Sequence, residues 1–440
     1  MCISRLSASS NAGNSIEFRK LMSKLLIFGT ASLFFAQMIA LLSGYGINIY
    51  IARTLGPDDY GIYAVIISII SLLTLLTVVG TQGATSKYVA ENPRQSSAVR
   101  QSGLRLNGLI AVLVGTLYFI MASPIAGVLN DRSLLPYLRL SALIIPPYFL
   151  YPVFIGYFNG LKKYNRQSLI AIIYSIGKLF AIIALVILGL RIYGAISGFA
   201  LGAYSSIAVG FILVKKSPAA LNKFSMLKLL KFAVPLTIFT FSFEGTKTIS
   251  LLYVKSMLGQ NDLTAYYNVG NQISRISHLF SISLGTALFP LVAGSFARGD
   301  IAGLTRNIKI VFLYLSIFII PLTAGILIFS NPIVSLLFGE KYLPAAAPLK
   351  ILGIAEVFVG IAYILYIILT AIEKQKTAMV CSVIVFGVAV GLNKLFIPLY
   401  SISGAAYATL TAFIIGAAIA GLAIYRYFHL NIVKCCGWRI

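Results

Sequence analysis

Phe232–Val254 reads FAVPLTIFTFSFEGTKTISLLYV, an apolar run long enough to cross a bilayer that nevertheless carries Glu244 and Lys247. Inside lipid a span this apolar must be a helix, because only a helix satisfies its own backbone hydrogen bonds. At about 100° per residue, Thr237, Thr240, Glu244, Lys247, Thr248 and Lys255 share one face of it. The next span, roughly residues 266–292, places Asn268, Asn271, Gln272 and Arg275 on one face, with His278 at its margin. A Lys or Arg at mid-bilayer costs about 2.5–3.5 kcal/mol on insertion scales, so such stripes face other helices or water. Glu244 and Lys247 are one turn apart and can simply pair, but that leaves Arg275 unexplained. The alternative is a hydrated, net-cationic cavity that takes an anionic substrate through the membrane.

The rest of the chain fits the same setting. It is 59% apolar and 10% charged, with a mean hydropathy of +0.93, which excludes a soluble globular domain. Windows of about 20 mostly apolar residues recur twelve times between Leu25 and Tyr425, predicting an all-α integral membrane bundle of twelve transmembrane helices.

The net charge of +24 would suit nucleic acid, but its placement points elsewhere. With both termini cytoplasmic, 24 of the 35 Lys and Arg fall on the cytoplasmic side. Seven lie opposite and four (Lys178, Lys247, Arg275, Lys394) lie within spans. That bias is the positive-inside signature of a multi-pass protein of the cytoplasmic membrane, with basic margins suited to anionic lipids and no nucleic-acid partner. Cys2, Cys381, Cys435 and Cys436 have neither metal nor disulfide spacing. They read as plain thiols, with lipidation of Cys435 and Cys436 the alternative.

Along the chain, residues 1–23 form a polar tail expected to be flexible, and residues 24–214 hold the first six spans. Residues 215–231 are a cytoplasmic linker, residues 232–426 hold the second six, and residues 427–440 are a cytoplasmic tail. Ala84–Gln101 is too polar to cross and predicts an amphipathic surface helix broken at Pro93. Pro146, Pro147 and Pro152 in the fourth span predict a kinked or partly unwound helix that serves as a hinge. Lys178 sits near the middle of the fifth span beside Tyr174 and Ser175; Glu356 lies in the outer part of the tenth. Lys394 is close enough to its helix end to snorkel.

The two halves repeat. Tyr50-Ile-Ala-Arg-Thr-Leu-Gly56 matches Tyr253-Val-Lys-Ser-Met-Leu-Gly259, and Gly80-Thr81 matches Gly285-Thr286. Ser123-Pro-Ile-Ala matches Asn331-Pro-Ile-Val, and Arg191-Ile-Tyr-Gly-Ala matches Ser401-Ile-Ser-Gly-Ala. The offset grows from 203 to 210 without reversing, as a duplicated unit with small insertions requires. Six spans per half predict two bundles related by a pseudo-two-fold along the membrane normal, with the substrate path between them. At offset 203, Thr240, Glu244 and Lys247 fall on Gln37, Leu41 and Gly44. Each half then offers one wall, and the second supplies the charge.

The run Ile51-Ala-Arg-Thr-Leu-Gly-Pro-Asp-Asp-Tyr-Gly-Ile-Tyr-Ala64, followed by Lys87-Tyr-Val-Ala-Glu91, resembles the opening of the polysaccharide and O-antigen flippase family. That family is a branch of the multidrug/oligosaccharidyl-lipid/polysaccharide exporter superfamily. Gly156-Tyr-Phe-Asn-Gly-Leu-Lys-Lys-Tyr164 and Phe338-Gly-Glu-Lys-Tyr342 extend the likeness along the chain. The resemblance implies a MATE-like V of two six-helix bundles that moves a polyprenyl-diphosphate-linked oligosaccharide outward by alternating access. It assigns the diphosphate to Arg275 and Lys247, then Lys178 and Arg53, with Asn48, Asn271, Gln37 and His278 lining the cavity. Glu244 and Glu356 are the candidate charge partners, or holders of a coupling Na⁺ or H⁺; no other cofactor is implied. Expected partners are the lipid-linked oligosaccharide diphosphate, anionic lipids and glycan polymerase or ligase machinery, with the chain itself a monomer.

Two rivals remain open. A cation-coupled multidrug antiporter of the same superfamily would use Glu244 and Glu356, yet Lys178, Lys247 and Arg275 outnumber them. A membrane ligase or polymerase acting on lipid-linked sugars would need an external catalytic loop, whereas the longest one expected, residues 330–348, offers only Glu340 and Lys341. No P-loop, metal-ligand cluster or nucleophile elbow is present, so an enzyme is not expected.

Overall fold

A computed structural model of the chain describes residues 4–214 and 224–428, and every regular element among them is helical. The first half contains α1 (Ser4–Leu75), α2 (Val78–Glu91), α3 (Ser96–Val128), α4 (Leu135–Ser141), α5 (Ile145–Gly160), α6 (Tyr164–Leu185) and α7 (Arg191–Val214). The second contains α8 (Met226–Leu258), α9 (Asn261–Ser274), α10 (Ile276–Ala297), α11 (Ile301–Phe338), α12 (Ala346–Ala371) and α13 (Gln375–Phe428). The perimeter is apolar, as a lipid-facing surface must be: Leu109, Val112, Leu113, Leu117 and Ile120 of α3 are all exposed.

Nine segments among the described residues are long and apolar enough to cross a membrane. Three of them, Ala31–Glu91, Tyr164–Val214 and Gln375–Tyr427, run 61, 51 and 53 residues, far beyond the roughly 20 that a bilayer needs. Each is divided by a non-helical residue, Gly56, Gly189 and Ser401 respectively. Gly56 (φ 83°) stands directly before Pro57, which offers no N–H to continue a helix. The chain therefore doubles back at the Gly-Pro-Asp-Asp turn.

The duplication is written into the backbone. Arg191 (φ 43°, ψ −127°) and Ser401 (φ 53°, ψ −136°), equivalent at offset 210, share a conformation that side-chain-bearing residues seldom adopt. Lys162 (φ 57°) and Glu373 (φ 63°) likewise both take positive φ. Gly56 (φ 83°) and Gly259 (φ 71°), equivalent at offset 203, both take positive φ, although their ψ values of 176° and −16° differ. Gly194 and Gly404, also equivalent, both press against a preceding helix end where a Cβ would lie within 3 Å of backbone atoms.

Within the first half α6 packs on α7 and α1, and α2 on α5; within the second α13 packs on α12 and α8, and α10 on α12. The halves meet chiefly where α1 contacts α9 and α8, and where α2 contacts α8. One hydrophobic core spans both halves, uniting Ile51, Tyr60 and Val65 with Val254, Tyr267, Phe338 and Tyr342.

That shared core is capped by polar contacts between the halves, which form a latched end. Lys255, fully buried on α8, donates to Asp131 of the first half at 2.7 Å, to the Gly259 carbonyl at 3.0 Å and to the Asn261 side chain. Asn130 donates to the Ser256 carbonyl at 2.7 Å, and Tyr342 to the Ala52 carbonyl at 2.8 Å. Asn261 donates to Asp58 at 3.0 Å; these residues are 203 apart, so equivalent positions meet on the pseudo-two-fold axis. Burial works to raise the Asp131 carboxyl, but hydrogen bonds from Lys255 and Ser133 outweigh it and hold its pKa below the ordinary value.

Several expectations need correction. Instead of lying on the surface, α2 packs along α5 and α8 with Ala84, Thr85 and Val89 buried. Gly156 and Gly160 of α5 make this possible, since a Cβ there would meet the Gln82 or Ser86 carbonyl oxygen at 2.4 or 2.6 Å. Pro93 does interrupt the chain, in a 3-10 turn, but α3 begins at Ser96, within the expected surface segment. The unwinding expected in the fourth span is confined to a 3-10 turn at Ala142–Ile144. Pro146 and Pro147 occupy the first turn of α5, where no N–H is needed, and α5 stays helical through Pro152. Of the linker, residues 215–223 lie outside the described residues, while α8 starts at Met226 rather than at 232. The first tail is helical from Ser4; most of the second, with Cys435 and Cys436, lies outside the described residues, as does Cys2. Cys381 is buried.

Candidate functional site

The charged stripe of α8 faces α1 across two adjoining recesses between the halves. One, of about 430 Å³, is lined by Gln37, Leu41, Gly44, Tyr45 and Asn48 of α1 and by Glu244, Lys247, Gln272, Arg275 and His278. The other, of about 240 Å³, runs deeper between Asn48, Tyr63, Ser68, Ser71, Lys178 and Phe199 on one side and Glu244, Thr248, Asn268, Asn271 and Arg275 on the other. Gly44, Asn48, Glu244, Gln272 and Arg275 border both. Leu41 and Gly44, the positions equivalent to Glu244 and Lys247, lie on the opposite wall of the larger recess. Thr240 borders neither recess; its hydroxyl donates to the Leu236 carbonyl within α8.

Glu244 is the electrostatic centre. Its carboxylate lies 2.9 Å from Lys247 Nζ, 3.3 Å from an Arg275 guanidinium nitrogen and 3.6 Å from His278 Nε2. Lys247 is only 2% exposed, and Glu244 offsets what would be a several-kcal/mol cost of burying a lone ammonium. Arg275 remains about a third exposed, at a tightened turn between α9 and α10 where the His278 N–H donates to its carbonyl. Lys178 enters from the first half and lies over the rings of Tyr174 (4.8 Å) and Phe199 (4.7 Å). Three basic side chains therefore border the recesses against one carboxylate.

Polar contacts close the recesses toward the latched end. Asn268 of α9 donates to the Tyr60 hydroxyl at 2.9 Å, which donates in turn to Asn48 at 3.0 Å. Tyr45 reaches across to the Gln272 carbonyl at 2.9 Å. Beyond them Tyr60 packs against Phe338 and Tyr342, with ring centroids 6.4 and 6.0 Å apart.

Of the expected site residues, Arg275, Lys247, Lys178, Asn48, Asn271, Gln37, His278 and Glu244 come together around these recesses. Arg53 does not: it lies at the latched end, donating to the carbonyls of Leu337 (2.9 Å) and Leu336 at the end of α11. A cation at a helix C-terminus satisfies otherwise orphaned carbonyls, so its role there is capping. Glu356 borders neither recess; it is buried on α12, with one carboxylate oxygen unpartnered, yet interacts electrostatically with Lys247, Arg275 and Glu244. Tyr45, Tyr63, Ser68, Ser71 and Phe199 were not anticipated. Ser68 and Ser71, three apart in an apolar span, are the one signal that pointed to them.

Residues 26–296, more than half of the chain, match the family described as polysaccharide biosynthesis protein. The chain belongs to that family. Residues 235–395 also match the MatE family. An uncharacterised membrane protein of Methanocaldococcus jannaschii is 30% identical over 175 residues, 39% of this chain and 33% of that relative. The probable low-salt glycan biosynthesis flippase Agl15 of Haloferax volcanii is 24% identical over 206 residues, 46% of this chain and 42% of that one. The chain thus matches less than half the length of these curated relatives. Among solved structures, an inward-facing MATE family multidrug resistance transporter of the MOP superfamily superposes with a TM-score of 0.75 at 15% identity. That match covers 94% of this chain and 100% of the other. The lipid II flippase MurJ in an inward closed conformation gives 0.72 at 18% identity, covering 93% and 90%. The fold of this polysaccharide biosynthesis family member is accordingly MATE-like, and it is a multi-pass membrane protein.

Proposed function

We propose that the protein is a flippase that carries a polyprenyl-diphosphate-linked oligosaccharide from the cytoplasmic to the outer leaflet by alternating access, for surface polysaccharide synthesis. The observation that carries this reading is a pair of adjoining recesses between two apolar bundles, with Lys178 on the smaller, Lys247 on the larger and Arg275 on both. A diphosphate needs cationic partners to leave water, and they must release it again. Asn, Gln, Ser and Tyr side chains beside the cations suit sugar hydroxyls. The lipid tail stays in the bilayer, because the larger recess is bordered by α1 and α10, whose Phe35, Met38, Leu42, Phe280 and Ile282 are exposed apolar side chains. The glycan flippase Agl15 and the lipid II flippase MurJ support the same substrate class.

In this reading the basic side of the chain is cytoplasmic, the latched end faces outward, and the structure is the outward-closed state. Glu244 competes with the diphosphate for Lys247 and Arg275, which aids release; with Glu356 it is the seat of a coupling Na⁺ or H⁺. The protein acts by transport and performs no covalent chemistry. A cation-coupled multidrug antiporter is the second reading, favoured by the MATE neighbour; the excess of basic side chains over acidic ones opposes a cationic cargo. The deciding experiment reconstitutes the protein in liposomes and compares a short lipid-linked oligosaccharide with a cationic dye under the same ion gradients. Movement of the dye alone would overturn the flippase reading.

A further inference from the structure

We propose that the substrate's phosphate is seated first on Lys178, in the N-terminal half, and that Lys247 and Arg275 are held in reserve by Glu244. This rests on the flippase reading and assigns unequal parts to the three cations. Lys247 and Arg275 share one carboxylate at 2.9 and 3.3 Å, so an arriving phosphate has to displace Glu244 to reach either. Lys178 makes no ion pair among the described residues. Its neighbours are neutral: the Tyr174 hydroxyl at 3.4 Å and the ring faces of Tyr174 and Phe199. Aromatic faces attract an ammonium and hold it in place, but more weakly than an anion does. Phosphate therefore takes Lys178 without evicting a competing acid.

The surroundings of Lys178 hold it ready. At Gly202, α7 approaches so closely that a Cβ would come within 2.5 Å of Lys178 Cα, and the side chain runs past it into the smaller recess. The Tyr148 hydroxyl is hydrogen-bonded to that of Tyr174, and the Tyr148 ring stacks on Phe199 at 5.8 Å, so both ring faces are fixed. The repeat offers no counterpart: at offsets of 208–210 the equivalent positions are Phe386, Gly387 and Val388. The duplicated scaffold does not require a charge at this place, and its presence in one half alone marks a function. Lys178 and Arg275 face one recess from opposite halves, so an anion on Lys178 also draws the second half toward it.

The test measures binding of farnesyl diphosphate to the purified full-length protein by titration calorimetry, with farnesol as the uncharged control. Lys178→Met is expected to weaken farnesyl diphosphate by about ten-fold or more while leaving farnesol unchanged. Lys178→Arg, which keeps the charge, is expected to stay within about three-fold of the parent. Glu244→Gln should tighten binding by freeing the other two cations. If Lys178→Met binds like the parent while Arg275→Ala does not, the seat belongs to Arg275; this proposal then fails and the flippase reading stands. Equal losses in Lys178→Met and Lys178→Arg would mean that packing against the rings is what matters, and would also overturn it. A parent protein that binds ethidium but no farnesyl diphosphate would overturn both readings.

Discussion

Asp131→Asn is the sharpest perturbation of the closed state. Lys255 is completely buried and has three acceptors, of which only the Asp131 carboxylate carries charge and belongs to the other half. Removing one partner of a buried ion pair costs about 3–5 kcal/mol. Asp131 is 15% exposed at its side chain and the amide retains an acceptor oxygen, so about 2–3 kcal/mol is expected here. Because the contact exists only while the halves are together at this end, the loss falls on the closed state alone. It shifts the closed-to-open ratio by about 30- to 150-fold. Spin labels at Arg132 and Gln260, both exposed at this rim, in a chain lacking its native cysteines, would report it by electron–electron double resonance. A second, longer distance population should appear in the variant. An unchanged distribution would refute the latch. Lowering pH is a gentler form of the same perturbation. Because its partners hold the Asp131 carboxyl below its ordinary value, the pair stabilises the closed state fully above that value and is lost only as pH falls below it. The parent distribution should therefore be constant between about pH 5 and 8; loosening from this pair within that window would contradict the assignment.

Arg275→Ala should abolish export of the lipid-linked oligosaccharide while the protein remains in the membrane; export at the parental rate would remove Arg275 from the site. Glu244→Gln leaves Lys247 buried without its carboxylate, so a thermal midpoint lowered by the equivalent of about 3 kcal/mol is expected, together with transport that no longer responds to Na⁺ or proton gradients. Retained gradient dependence would exclude Glu244 from coupling. Gly156→Val would force α2 away from α5 through the Gln82 carbonyl and should cost about 1–3 kcal/mol in detergent melts. Gly108→Ala, which meets nothing within 4 Å, is the neutral comparison.

Much of the fold was legible because its signals lie along the chain. Hydropathy marks the spans, Gly56-Pro57 marks a reversal, and the drifting offset marks the duplication, later visible in the matched dihedrals of Arg191 and Ser401. The polar stripes on Phe232–Val254 and its neighbour identified most of the cavity, since side chains at helical spacing share a face wherever the helix packs. Elsewhere the same reasoning misled. Ala84–Gln101 looked like a surface helix because its polar residues were counted without the glycines of α5 that receive it. Arg53 looked like a cavity residue because nothing local shows that the carbonyls at the end of α11, more than 280 residues away, are within its reach.

By itself the amino-acid order determined a membrane-embedded helical pair of bundles with buried cations, since transfer free energy and helical periodicity depend only on neighbouring residues. Only the tertiary structure decided how those charges are shared. Glu244 draws Lys247, Arg275 and His278 together, Lys178 is left with aromatic company, and Asp58 meets Asn261 on the axis. Electrostatic pairing is a matter of a few ångströms, and which groups come that close is set by how the helices pack.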